Sequence, residues 1–325
     1  MNQHTFQVRN ESQWLEFEHW LDCMTASRNA RQTTAPFAED HAASRYRILC
    51  QHLALARDRQ YSPALVERLH RLVVRGHQFM YGAHPQAGPA VIRFFAKDFA
   101  RAVRARWRLL ALSCALFFLP LFAFAGVMQR YPDMIYMVMT PTQVASYERM
   151  YDPAKQPQGR DAQADAYMFG HYIWNNVRIG FQTFAGGLLF GLGTIFFLTV
   201  NGVLIGATAG YLIEAGHARP FLSFVSGHSA FELTGIVLMG AAGLMLGAAV
   251  VAPGRLTRTS ALRANARAAV PLVYGAGALL TLAAFVEAFW SPLTSLPAPV
   301  KYAVGIGLWV LVFAYFSLAG RDRAP

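Results

Sequence analysis

The sequence predicts an all-α, polytopic membrane protein: a helical bundle of about six crossings preceded by an amino-terminal cytoplasmic helical domain. Three observations predict it. Of 325 residues, 54% are hydrophobic and only 14% charged, whereas roughly a quarter of an ordinary soluble domain is charged. The apolar residues are gathered in long blocks: Leu109–Met128 and Ile179–Ile213 carry no charge, Phe221–Val251 only Glu232, Ala268–Leu296 only Glu287, and Tyr302–Gly320 none. A spanning helix needs about 20 apolar residues. The basic residues, finally, sit at block ends. Arg101, Arg104, Arg106 and Arg108 crowd the first block, Arg255, Arg258, Arg263 and Arg267 fill a loop without an acidic residue, and Arg321 and Arg323 follow the last block. Such clusters mark the cytoplasmic side and meet anionic headgroups there. The net charge of +11 therefore reads as topology, and nucleic acid is not an expected partner.

Two domains are expected, residues 1–105 and 106–325. In the first, "SQWLEFEHWLDCM" places Trp14, Phe17, Leu21 and Met24 at spacings of three and four, one face of a helix, and Tyr46, Leu49, Leu53 and Ala56 repeat the pattern. "YSPALVERLHRLVVRGHQFMY" opens with Ser62 and Pro63, an N-cap and first-turn signature, and carries Leu65, Leu69, Leu72 and Phe79 on one side. "GAHPQAGP" breaks this helix, and "AVIRFFAKDFARAVRAR" is amphipathic and feeds the first span. Three or four such helices pack as a small bundle. No uninterrupted apolar run lies in the first hundred residues, so the first span is expected to insert without a cleaved signal. Cys23, Cys50 and Cys114 have no metal or disulfide spacing and read as buried small apolar side chains.

Spans are expected at about 109–128, 179–200, 203–213, 221–251, 269–290 and 301–320, with an outer loop over 129–170. The count follows from parity. With the basic segments inside, Ile179–Ile213 must enter and return. Its thirty-five residues cover about 52 Å of helix, against about 60 Å for two crossings. The turn is placed at Asn201-Gly202, an Asn-Gly turn signal, and the segment after it is read as short or re-entrant. Both termini then lie in the cytoplasm, and the protein is multi-pass in a bacterial cytoplasmic membrane.

Polar residues inside the blocks are the candidate site. His228 and Glu232 stand at i and i+4, about two turns into the membrane, where a carboxylate must neutralise or find a partner. Asn175, Asn176 and Arg178 stand at the outer edge of the second span, Asn201 at the break and Glu287 near the outer end of its span. These groups read either as a clamp between helices or as the lining of a path for a proton or solute. The order H-x-x-x-E does not supply the two histidines of a zincin helix, and no nucleophile elbow, aspartate pair or phosphate loop is present. No catalytic residue, metal or cofactor is expected. Gly187 and Gly191, then Gly202, Gly206 and Gly210, then Gly243 and Gly247 are spaced by four. That spacing makes smooth stripes for close helix approach, within the chain or along a homo-oligomer seam.

"NNVRIGFQTFAGGLLFGLGT", "VNGVLIGA", "GHSAFELTGIVLMGAAGLMLG", "APGR" and "VEAF", in that order, resemble the stage II sporulation protein M family over roughly Met168 to Ser291. "LHRLVVRGHQFMY" looks like the longer, non-sporulation branch of that family. The resemblance implies a polytopic inner-membrane protein, similar to an anchor that holds peptidoglycan-degrading partners during engulfment, and it brings no catalytic residues. The expected role is a non-enzymatic anchor or assembly scaffold for an envelope-associated complex. Its partners would be the lipid bilayer and proteins docked on the cytoplasmic domain or the outer loop. A transporter or channel-like protein with a polar path near His228 and Glu232 is the alternative.

Overall fold

The computed structural model describes residues 2–25, 36–37, 41–81, 87–152 and 162–321. Every regular element among them is helical, and the chain divides into two compact units, Met1–Val91 and Ile92–Pro325.

The first unit packs α1 (Gln3–Thr25), α2 (Ala42–Asp58) and α3 (Pro63–Tyr81). The three-and-four spacing puts Trp14, Phe17 and Leu21 on one face of α1, where they bury against Leu49 and Leu53 of α2 and Leu65, Leu69 and Leu72 of α3. Trp20 and Phe6 join them. The Gln3 amide fastens the start of α1 to the start of α3: its Nε2 donates to Ser62 Oγ at 2.9 Å and its Oε1 accepts the Ser62 N–H at 2.8 Å. Cys23 and Cys50 here, and Cys114 in the second unit, form no disulfide and are half-buried rather than buried.

α4 (Ala87–Arg93), whose last two residues open the second unit, runs through a single π turn into α5 (Phe99–Ala105). Six long helices follow: α6 (Trp107–Arg130), α8 (Ala162–Ala185), α9 (Leu192–Leu212), α11 (Ser229–Val251), α12 (Arg258–Phe289) and α13 (Ala298–Leu318). Short α7 (Pro141–Tyr151) and α10 (Ala218–Val225) lie between them. Neighbouring residues give their directions. A Cβ on Gly202, Gly206 or Gly210 would strike the carbonyls of Phe117, Leu121 and Ala125 in turn, so α9 runs parallel to α6. Gly180 faces Met239 and Gly187 faces Gly243, so α8 runs parallel to α11. Leu198 faces Gly240 and Thr194 faces Gly243, which makes α9 antiparallel to α11. Asn176 meets Glu287 while Gly180 meets Leu280, which makes α8 antiparallel to α12. Thus α6, α9 and α12 run one way. α8, α11 and α13 run the other, Ser226 and Ser229 meeting Lys301 and Trp309 in that order.

Among the described residues four stretches are long and apolar enough to cross a membrane: Trp107–Arg130, Leu192–Val251 (which holds α9 to α11), Arg258–Phe289 and Ala298–Leu318. α8 is not among them, since His171, Asn175, Asn176 and Arg178 interrupt it.

The structure moves the expected break. Asn201-Gly202 lies mid-helix in α9, and the chain reverses at 186–191 instead. The reason is local. Gly186 packs on the Gly193 backbone, where a Cβ would come within 2.5 Å, and Gly191 adopts a left-handed φ of 83°. Asn201 satisfies its own amide by donating to the Phe197 carbonyl at 2.7 Å, and Gly202 is required by the approach of α6, not by a turn. The length deficit disappears with it. α8 begins at Ala162, inside the segment read as outer loop, so the two helices are about 36 Å and about 32 Å long. The segment after Asn201 is therefore neither short nor broken. The expected span 221–251 is also divided, by a turn at 226–228 between α10 and α11.

Candidate functional site: a polar clamp at one end of the bundle

α11 begins, α12 ends and α13 begins at the same end of the bundle, and the buried polar side chains gather there. His228 is the N-cap of α11, not two turns inside it. Its ring lies edge-on to Phe224, with centroids 5.4 Å apart. His228 Nδ1 and Ser291 Oγ are 3.0 Å apart, and Nε2 stands 3.8 Å from the Glu232 carboxylate. Ser291 lies just past α12, and its carbonyl accepts a hydrogen bond from Lys301 Nζ at 2.7 Å. The Lys301 ammonium also sits over the Trp290 ring, 5.9 Å from its centre. The Lys301 carbonyl in turn accepts from Ser226 Oγ at 3.2 Å. Gly227 leaves room for that Trp290 ring, which any side chain would strike. One closed set of bonds therefore ties the α10–α11 elbow to the α12–α13 connection.

A second, looser group adjoins it. Asn175 donates to Asn176 at 3.3 Å, and Asn176 donates to Glu287 at 3.4 Å, joining α8 to α12. Tyr151, at the end of α7, packs against Phe221 with centroids 5.2 Å apart. Burial pushes its phenol above the usual range, and the Glu287 carboxylate nearby pushes it further.

Of the residues expected from sequence, the structure brings His228 and Glu232 together and joins Asn175, Asn176 and Glu287 in a chain. Two do not join. Arg178 is exposed on α8, and Asn201 is occupied within α9. Sequence reasoning missed Ser291 and Lys301, 2% and 5% exposed, and Tyr151. Lys301 was visible as a lone cation next to an apolar block; a serine or tyrosine carries no such signal.

The glycines also divide. Gly202, Gly206 and Gly210 form the expected stripe, closed by α6. Gly243 and Gly247 form another on α11, but Gly187 and Gly191 belong to the hairpin that fits against it rather than to a helix face. Thr194 Oγ1 donates to the Thr183 carbonyl at 2.7 Å across that hairpin. Ser113 Oγ donates to the Val237 carbonyl at 2.7 Å, joining α6 to α11.

Chemically, Ser291, His228 and Glu232 stand in the order of a nucleophile, base and acid. A triad needs a face open to an acyl group, yet His228 is 3% exposed and Ser291 2%. The hydroxyl is paired with the buried ring, and Lys301 Nζ bonds the carbonyl of the same serine. Among the described residues no three His, Cys, Asp or Glu gather as a metal would require. The arrangement is suited to holding helices: each buried polar group that loses its partner costs about 1–3 kcal/mol.

Two family models match the chain. One, described as stage II sporulation protein M, covers residues 109–292. The other, a domain of unknown function (DUF8413), covers residues 4–82. No curated protein and no solved structure matches.

Proposed function

Because the chain belongs to the stage II sporulation protein M family, we propose that this membrane protein is a non-enzymatic anchor or assembly scaffold for an envelope-associated complex. Six long helices alternating in direction fit six crossings of a bacterial cytoplasmic membrane. The arginine-rich end, with both termini, faces the cytoplasm. The amino-terminal unit is then a cytoplasmic docking module, and the segment from Tyr131 to Asp152 is an outer one.

The observation that carries the reading is the closure of the polar clamp. His228 Nδ1 is paired with the Ser291 hydroxyl, Lys301 Nζ donates to the Ser291 carbonyl, and the Lys301 carbonyl accepts from Ser226 Oγ. A conducting path needs such groups turned toward water; a rigid platform needs them turned toward each other. The test is cross-linking and co-purification from native membranes, with wild type and His228→Ala. A scaffold loses thermal stability and captured partner in parallel. A well-folded variant that keeps its partner but loses proton or solute flux would replace this reading with the transporter.

A further inference from the structure

We infer that the elbow between α5 and α6 binds the phosphate of an anionic phospholipid headgroup, with an acyl chain lying along the outward face of α6. Arg106 breaks the helix there, with φ −115° and ψ 25°, where sequence reading expected one continuous amphipathic helix. The break opens a hollow lined by Ala105, Arg106, Trp107, Arg108 and Leu109.

The neighbouring cations are already engaged. Arg104 donates to the carbonyls of Phe316 and Ala319, both at 2.7 Å, and Arg101 to that of Gly320 at 2.6 Å, so these two close the end of α13. Arg93 stands 3.4 Å from Asp98. Arg106 and Arg108 have no carboxylate partner among the described residues. Both are exposed, Arg108 lying over the Trp107 ring at 5.6 Å. Two guanidinium groups flanking a hollow suit a phosphate, whose oxygens match their forked donors.

The depth is that of a headgroup. The twenty-four residues of α6 span about 36 Å, slightly more than a hydrocarbon core. Trp107 and Tyr131 stand exposed at its two ends, each beneath an arginine, as interfacial aromatics do. The charge at this end is one-sided: Arg255, Arg258, Arg263 and Arg267 are exposed where α11 gives way to α12, with no acid among them.

A lipid, rather than free phosphate, is indicated by what continues from the hollow. Arg108, Leu112, Leu119 and Phe122 follow one another at helical spacings of four, seven and three, so they share a face. The three apolar members are 47%, 69% and 67% exposed. A cation above an open apolar stripe matches a phosphate above its acyl chain.

This inference rests only on the protein spanning a bilayer, and it stands or falls independently of the scaffold role, which co-purification reads. The experiment is binding of phosphatidylglycerol to the full-length protein in mild detergent, followed by native mass spectrometry and thermal unfolding. Phosphatidylcholine and inorganic phosphate serve as controls. Phosphatidylglycerol is expected to bind and to raise Tm. Arg106→Gln with Arg108→Gln is expected to weaken binding about thirtyfold, at roughly 1 kcal/mol per arginine near the headgroups. Arg106→Lys with Arg108→Lys is expected to retain most of it, which separates lost charge from lost fold. Equal affinity in the glutamine variant overturns the site. Equal binding of phosphatidylcholine, or the same Tm rise with inorganic phosphate, overturns the anionic lipid as its ligand.

Discussion

In the amino-terminal unit the largest side chains lie at the centre: Phe6, Trp14, Phe17 and Trp20 are all at most 1% exposed. In the bundle large side chains such as Phe99, Phe117 and Met239 are buried too, but the helix seams are lined by the smallest residues. Gly235, Gly240, Gly243 and Gly247 are buried along α11 together with Ala241, Ala242 and Ala249. The difference is the one expected between a unit folded in water and a unit folded in lipid. In water, removing apolar area is itself the driving force, and an indole removes more than any other side chain. In lipid the surroundings are as apolar as the protein, so association depends on close backbone approach and on polar groups that have nowhere else to bond. The polar clamp and the glycine seams are two forms of the same solution.

The sharpest way to break this comparison is one added methyl group in each unit. At Gly206 a Cβ meets the backbone carbonyl of Leu121, which cannot move without moving α6. At Gly76 it meets ring edges of Tyr46 and Phe17 at 3.0 and 3.1 Å, which can tilt. Gly206→Val is expected to abolish the folded bundle, and Gly206→Ala to cost about 1–3 kcal/mol or more by overpacking. Gly76→Ala is expected to cost less than either. Thermal unfolding of the three proteins in detergent orders them. A tolerated Gly206→Val would mean that α6 and α9 are not seamed at that glycine.

The reverse experiment removes volume. Trp20→Ala deletes a fully buried indole stacked on Phe37 and set edge-on to Phe79, and is expected to cost the first unit about 3–5 kcal/mol. Hydrogen exchange should then rise in α1, α2 and α3 and stay unchanged in α11 and α12. A simultaneous rise in the bundle would show that the two units do not unfold separately.

How far each unit was legible in the sequence reflects the same physics. The face of α1 carrying Trp14, Phe17 and Leu21 was readable because an apolar face set against a polar one repeats at three and four. In α9 and α11 every side is apolar, so periodicity carries no direction, and helix ends must be found from charges or turn residues. Asn201-Gly202 supplied a turn signal that packing overrides, while the true reversal at 186–191 bears no charge to announce it. The clamp was half visible. His228 and Glu232 stood out against an apolar background, but the hydroxyl and carbonyl of Ser291, which engage His228 and Lys301, look like ordinary chain.

Within the bundle, the clamp offers a smaller effect than the seam. His228→Ala leaves the Ser291 hydroxyl without its ring partner and Glu232 without the imidazole, and is expected to cost about 1–3 kcal/mol. Ser291→Ala removes one end of the same bond, so the two losses should not add in the double variant. Additive losses would mean that the pair is not coupled.

The smallest effect lies in the amino-terminal unit, where one polar contact is set among the aromatics. Trp14 Nε1 donates to His52 Nδ1 at 3.1 Å, which requires that nitrogen to be unprotonated. Burial also holds the His52 imidazole below its ordinary value of 6.5. The unfolded chain therefore takes up a proton at a pH where the folded unit does not, and acid favours unfolding. Stability of this unit should be full above about pH 6.5 and fall as the pH drops from there toward the folded value. Hydrogen exchange in α1 and α2 of the full-length protein, compared at pH 7.5 and pH 5.5 after correction for intrinsic rates, reads it directly. His52→Gln, whose amide oxygen accepts from Trp14 without titrating, is expected to flatten the difference. The pH dependence of the bundle should be unchanged by that substitution. If it moves as well, the two units do not unfold separately; if the difference in α1 and α2 persists in His52→Gln, the pH sensitivity of this unit does not come from His52.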